Sequence, residues 1–171
     1  VSSSAIDLDP IEHITVEAIG VAEGRNFVLQ GQSEDQLVTL SLDSDQIQGL
    51  SIAGNELLDI LDEEYPRDLD LLQIPSSEHM VLREPIDPLF EIAQFQLGYD
   101  AERDSLIIIV IELPAGLELS TTELAIVRFW LSREQMVALL RQIDQVLGLS
   151  LRICPGCGQP MAGDHVCVRN N

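Results

Sequence analysis

The sequence predicts an α+β body of two pseudo-symmetric strand–strand–strand–helix halves. Their strands are expected to join in one mostly antiparallel sheet covered by helices, followed by a small zinc-knuckle or ribbon-like C-terminal tail. Three observations predict this. Short runs of alternating apolar residues, separated by turns, occur twice along the chain. Each set of runs ends in a segment of helical periodicity opened by an Asp/Ser-x-x-Gln cap. All three cysteines fall between Cys154 and Cys167.

The elements follow in order. Residues 1–10 form a lead-in. Ile14, Val16 and Ala18 alternate with polar neighbours, the pattern of a half-buried strand. Glu23 to Asn26 reads as a turn, F-V-L-Q-G as a second strand, and L-V-T-L-S-L-D as a third with Val38, Leu40 and Leu42 on one face. Connections this short favour antiparallel neighbours. Asp43 and Gln46 have capping-box spacing, and Ile47, Leu50, Leu57, Leu58 and Leu61 then share one helical face. Gly49 and Gly54 each weaken that helix by ~1 kcal/mol relative to alanine, and a bend is expected near Gly54.

Residues 66–89 hold Pro66, Pro75, Pro85 and Pro88 and no sustained period, so they read as a connector packed through Leu71, Leu72 and Ile74. The second half runs from a strand at about Phe90 to Tyr99, with Phe95, Leu97 and Tyr99 on one face. After the turn D-A-E-R-D comes S-L-I-I-I-V-I-E-L, apolar on both faces and so expected to be central and covered on both sides. A third strand, T-E-L-A-I-V-R-F-W-L, leads to a helix capped by Ser132 and Gln135, whose inward face is Met136, Leu139, Leu140, Ile143 and Leu147.

V-T-L-S-L-D-S-D-Q-I (38–47) lies over V-R-F-W-L-S-R-E-Q-M (127–136) without a gap. Three strands and one helix bury little area alone, which is a physical reason to duplicate the unit. The expected body spans 10–147, with halves at about 10–65 and 90–147, and the tail spans 148–171.

The chain has 171 residues and a formal charge of −20. Such a surface repels phosphate backbones and anionic membranes and favours a basic partner, so another protein is the expected partner and nucleic acid is disfavoured. No stretch approaches the ~20 apolar residues of a membrane helix. The N-terminus lacks a basic start and an apolar core, so a cytoplasmic location is expected.

The tail is C-P-G-C-G-Q-P-M-A-G-D-H-V-C. Cys154-x-x-Cys157 presents two sulfurs from one tight turn, and His165-x-Cys167 presents two donors on one side of an extended segment. Three thiolates and one imidazole match tetrahedral Zn²⁺ and argue against Ca²⁺ or Mg²⁺. Four protein ligands leave no open position, the mark of a structural site. A redox C-x-x-C is the rival reading, although such a pair usually sits at a strand–helix junction and this one follows a helix; a regulatory, oxidation-prone thiol is another.

No catalytic or cofactor-binding residue stands out. His13 lies in a strand and His79 in a loop. Asp62–Glu64 and Asp68-x-Asp70 read as solvated charge. Trp130 is expected either to pack under the connector or to mark a contact patch. The motifs of hydrolases, phosphate-binding loops and dinucleotide sites are absent.

The tail, the segment I-A-Q-F-Q-L-G-Y-D-A-E-R-D-S-L-I-I-I-V-I-E, and F-V-L-Q-G followed by L-V-T-L-S-L-D resemble a bacterial family of conserved hypothetical proteins, a domain of unknown function. The likeness covers about residues 10–170. It implies a C-P-x-C-G-x-P…G-H-x-C ending onto which Cys154, Cys157, His165 and Cys167 fall. Here Ala162 precedes Gly163, and Asp164 separates that glycine from His165. The resemblance also implies genes lying beside those of phosphoglycerate-mutase-like and phosphatidylinositol-kinase-like proteins, hence a shared pathway. Two functions are carried forward: a non-enzymatic interaction module with a zinc-stapled tail, and an enzyme with its ligand site at the seam between the halves.

Overall fold

A computed structural model describes residues 5–20, 26–114 and 123–150. The order is β1 (Ala5–Leu8), β2 (His13–Ile19), β3 (Asn26–Ser33), β4 (Gln36–Leu42), α1 (Ser44–Glu64), two 3-10 turns (Leu71–Gln73 and Ser77–His79), β5 (Ile92–Asp100), β6 (Ser105–Glu112), β7 (Ile126–Leu131) and α2 (Arg133–Ser150). The class is α+β. The strands form two sheets rather than the single one expected: four strands in the order β1-β7-β6-β5, and three in the order β2-β3-β4.

The leading segments explain the division. β1 lies parallel to β7, with Ile6 opposite Val127 and Leu8 opposite Phe129. The chain then crosses sheets: the Ile11 amide donates to the Trp130 carbonyl at 2.8 Å, and the next amide, Glu12, donates to Gln32 on β3 at 2.9 Å. The segment before β5 behaves in the same way. Leu89 donates to the Thr39 carbonyl and the Ser41 amide to Phe90, so residues 89–91 run parallel to β4. The Leu113 amide then donates to Glu91, and the chain has entered the other sheet. A short crossing strand thus reaches both sheets without a helix, and the consecutive strands β2-β3-β4 and β5-β6-β7 pair antiparallel within their sheets.

Both helices start as the sequence predicts. The Asp43 carboxylate accepts from the Gln46 amide at 2.9 Å, and the Gln46 side chain accepts from the Asp43 amide at 3.0 Å. Ser132 and Gln135 do the same for α2. Each capping glutamine also reaches the opposite crossing: the Gln46 side-chain amide donates to the Ile92 carbonyl and that of Gln135 to the Ile11 carbonyl. α1 continues unbroken through Gly54. A β-carbon there would stand 2.7 Å from Leu140 Cδ2, so this glycine lets α1 and α2 approach closely.

One apolar core joins both halves, with Leu29, Leu40, Ile108 and Phe129 fully buried. At Gly31 a β-carbon would meet the Phe129 ring at 2.6 Å, so the sheets nearly touch there. The outer face of the three-stranded sheet is crossed by the connector. Thr15 donates to the Met80 carbonyl, the Gln30 amide to the Arg83 carbonyl, and the Arg83 amide back to Gln30. Polar residues are thereby buried without loss of hydrogen bonds: Thr15 and Gln30 have no exposed surface.

The structure corrects or narrows three further expectations. The connector does not pack through Leu71 and Leu72, which are 75% and 93% exposed; Met80 is its buried anchor. β6 is central, and among the described residues it is covered on one face only: Leu106, Ile108 and Val110 are buried, while Ile107, Ile109 and Ile111 are partly buried. Trp130 shares that outer face of the four-stranded sheet, opposite Ile107, and does not lie under the connector.

Candidate functional site

The four proposed metal ligands, Cys154, Cys157, His165 and Cys167, lie outside the described residues. Among the described residues no group of three or more histidine, cysteine or acidic side chains is arranged to hold a metal. The densest polar constellation is instead formed by the start of the connector, the β5–β6 turn and the first turn of α2.

Asp104 is its centre, held in the turn at φ 47°. Its carboxylate pairs with Arg67 Nε at 2.6 Å and Arg133 Nε at 3.0 Å, and accepts from the Tyr99 hydroxyl at 2.6 Å. Arg67 also grips Glu134 through two bonds of 2.7 and 3.2 Å, and the Asp70 amide donates to the same carboxylate. Arg133, almost fully buried, donates to the Tyr65 carbonyl at 2.7 Å and to the Tyr99 hydroxyl at 3.1 Å. The Tyr65 and Tyr99 rings are 5.3 Å apart, and the Arg133 guanidinium lies 5.6 Å from the Tyr99 centroid.

Electrostatics follow from this geometry. The hydrogen bond from Arg67 leads in holding Glu134 down to about 2, against the opposing effect of burial. Burial alone would raise Asp104, but the Tyr99 hydrogen bond and the Arg133 and Arg67 charges outweigh it and lower it. Burial, then the bond to Asp104, raises the Tyr99 phenol. Two cations and two anions therefore balance, and each ionised group is held in its charged form. Such a cluster clasps the connector to the second half. It has neither an unengaged base nor a nucleophile.

Other flagged residues are dispersed. His13 is buried; desolvation and then the Arg83 charge lower its pKa, so it sits neutral under the connector with Nε2 unpartnered. His79 is exposed, and its Nδ1 lies 2.6 Å from the Ser76 hydroxyl. Asp62, Glu63, Glu64, Asp68 and Asp70 are exposed, and Asp70 caps the first 3-10 turn. Arg103 stacks 4.5 Å over Trp130, and the Trp130 indole donates to Asp7. At the seam, a cleft of about 230 Å³ opens between β4 and β5. Its polar lining includes the capping pair Asp43 and Gln46, already bonded to each other and to Ile92.

Sequence reasoning missed Arg67, Tyr99, Asp104, Arg133 and Glu134. One signal was available. The chain has nine basic residues against 29 acidic ones, so each arginine has a choice of carboxylates, and a buried one is bound to be paired.

A family model described as "Protein of unknown function (DUF3090)" matches residues 6–167. The chain belongs to the DUF3090 family. The match begins at β1 and extends past α2 to Cys167, so the cysteine-bearing segment lies within the matched residues. No curated protein and no solved structure matches this DUF3090 chain.

Proposed function

We propose that this DUF3090 chain is a non-enzymatic interaction module of the cytoplasm: a duplicated α+β body whose tail is stapled by one structural Zn²⁺ on Cys154, Cys157, His165 and Cys167. The observation that carries the docking role is the exposed pair Leu71–Leu72. Two adjacent leucines, 75% and 93% exposed, project from a 3-10 turn that directly follows exposed Asp68 and Asp70. An apolar tip in an acidic setting fits a partner with an apolar pocket and a basic rim.

Duplication is supported by the matching strand crossings and by Gln46 and Gln135, each bonding the opposite crossing. The enzyme reading is less well supported, because the ionised groups of the central cluster are engaged with one another and the seam cleft is lined by an occupied cap. Three thiolates and an imidazole would saturate zinc and leave it without a solvent ligand.

Two measurements test the proposal. Elemental analysis of the purified full chain should give about one zinc per chain. Gentle affinity purification should return a stoichiometric partner that is released by salt and lost on Leu71→Ser/Leu72→Ser substitution, with the fold intact by circular dichroism. A solvent molecule on the metal, a native disulfide within the first cysteine pair, or a partner indifferent to both leucines would overturn it.

A further inference from the structure

The connector is fixed to the body at two places, and different chemistry holds each. Its upstream end is clasped by charge: Arg67 pairs with Glu134 and Asp104, and the Asp70 amide donates to Glu134. Its downstream end, residues 79–83, lies on the outer face of β2 and β3 through neutral hydrogen bonds. Thr15 donates to the Met80 carbonyl at 2.7 Å. Gln30 donates to the Arg83 carbonyl at 2.8 Å and accepts from the Arg83 amide at 2.7 Å. Under this downstream seat lies His13, only 5% exposed, against the backbone of His79 and Val81.

We infer that residues 79–83 form an acid-released strap: a proton taken up at His13 Nε2 lifts this part of the connector off β2 and β3, while residues 67–70 stay clasped to α2. The ring is a poor place for a charge. Its Nε2 is buried and, among the described residues, has no hydrogen-bond partner, so the proton that makes the imidazolium arrives without an acceptor. The groups around the ring supply no negative charge. The connector contributes the backbone of His79 and Val81 and the Arg83 guanidinium. β3 contributes Gln32, paired opposite His13, whose side-chain oxygen already accepts from Arg83 at 2.6 Å. α2 meets this stretch of chain through the neutral amides of Gln135 and Gln142. On β2 itself, Glu17 stands four residues along, roughly 13 Å of strand away, and accepts from Gln142 at 3.1 Å. Glu12, just before the ring, is exposed to solvent.

Burial first, and the Arg83 charge second, keep His13 neutral; the two connector carbonyls favour the charged form and are outweighed. Lifting the strap removes both restraints at once. Water reaches the ring, and Arg83 departs with the strap to which it belongs. The open form thus binds a proton that the closed form excludes, and acid shifts the balance toward opening. Because the pKa is lowered in the closed form, the seat is intact above the ordinary value of 6.5 and weakens as pH falls below it. The upstream clasp tolerates the same acid. Glu134, held down to about 2, stays ionised throughout this range.

Hydrogen exchange of the purified full chain, followed amide by amide by NMR, tests the strap. The reporters are the Arg83 amide, bonded to Gln30, and the Asp70 amide, bonded to Glu134. While the closed ring stays neutral, the opening equilibrium scales as one plus the ratio of protonated to neutral ring in the open form. Protection of Arg83, corrected for the intrinsic rate, should then fall about tenfold between about pH 7.5 and 5.5, and that of Asp70 should not change. In His13→Gln, which cannot take up the proton, Arg83 protection should be the same at both pH values. An unchanged Arg83 in the wild-type chain, an equal fall at Asp70, or the same fall in His13→Gln overturns the inference. If His13→Gln does not fold, the wild-type imidazole decides. Less than half of it should be protonated at pH 6.5 by its NMR titration, and half or more overturns the inference.

Discussion

Glu134 shows how much a single residue contributes here. Its carboxylate is nearly buried at the start of α2, held by Arg67 and by the Asp70 amide, and titrates near 2. A folded-state pKa below the unfolded value of about 4.5 stabilises the protein above pH 4.5, and that stability is lost as pH falls toward 2. The shift corresponds nominally to about 3 kcal/mol. Arg67 is 36% exposed, so solvent screening reduces the expected contribution to about 1–2 kcal/mol. Glu134→Gln should therefore lose about that much in urea unfolding at pH 7 and show a shallower decline between pH 4.5 and 2. Identical slopes for the two proteins would show that the carboxylate is not held as described. None of this cluster was legible in the sequence as a unit. Arg67, Asp104 and Glu134 come from three separate segments, and pattern reasoning sees neighbours along the chain, not across it. The four candidate metal ligands could be proposed from the sequence because their spacing is local, and they lie outside the described residues.

At the scale of elements, β2 to β7 and both helices were legible, but β1 fell in the expected lead-in and the assembly of the strands was not legible. Alternation placed β2, β4 and β5, and the Asp43–Gln46 and Ser132–Gln135 boxes marked the helix starts. These signals lie within a few residues of one another. The partition into two sheets depends on which edge each leading segment joins, and nothing in the periodicity of residues 5–12 or 89–92 specifies a distant partner. Glycines illustrate the difference between local and tertiary constraint. Gly49 is exposed on α1 with open space around its α-carbon, so Gly49→Ala should stabilise the protein by about 0.5–1 kcal/mol through helix propensity. At Gly54 the same gain is opposed by Leu140. In β3, Gly31→Ala forces a methyl group into the Phe129 ring and should cost about 1–3 kcal/mol. Thermal denaturation of the pair checks both signs, and equal midpoints would contradict the packing at Gly31.

For the whole molecule, the decisive feature is the reciprocal crossing of the leading segments. β1 belongs to the first half of the chain yet completes the sheet of the second, and residues 89–91 do the converse for β4. Covalent continuity between the halves is therefore not what holds them together. If a protease site is placed at the exposed Leu71–Leu72 turn and cut after purification, the nicked protein should elute from gel filtration at the volume of the uncut chain, and its two fragments should part only in denaturant. Separation in native buffer would show that the exchange of edge strands is too weak to matter. The arrangement has the form of a strand-swapped homodimer whose two subunits have been fused end to end. On the proposed duplication, a lone ancestral half would have needed its twin to fold, and fusion would have made that encounter intramolecular, leaving each copy free to diverge on its outer surface.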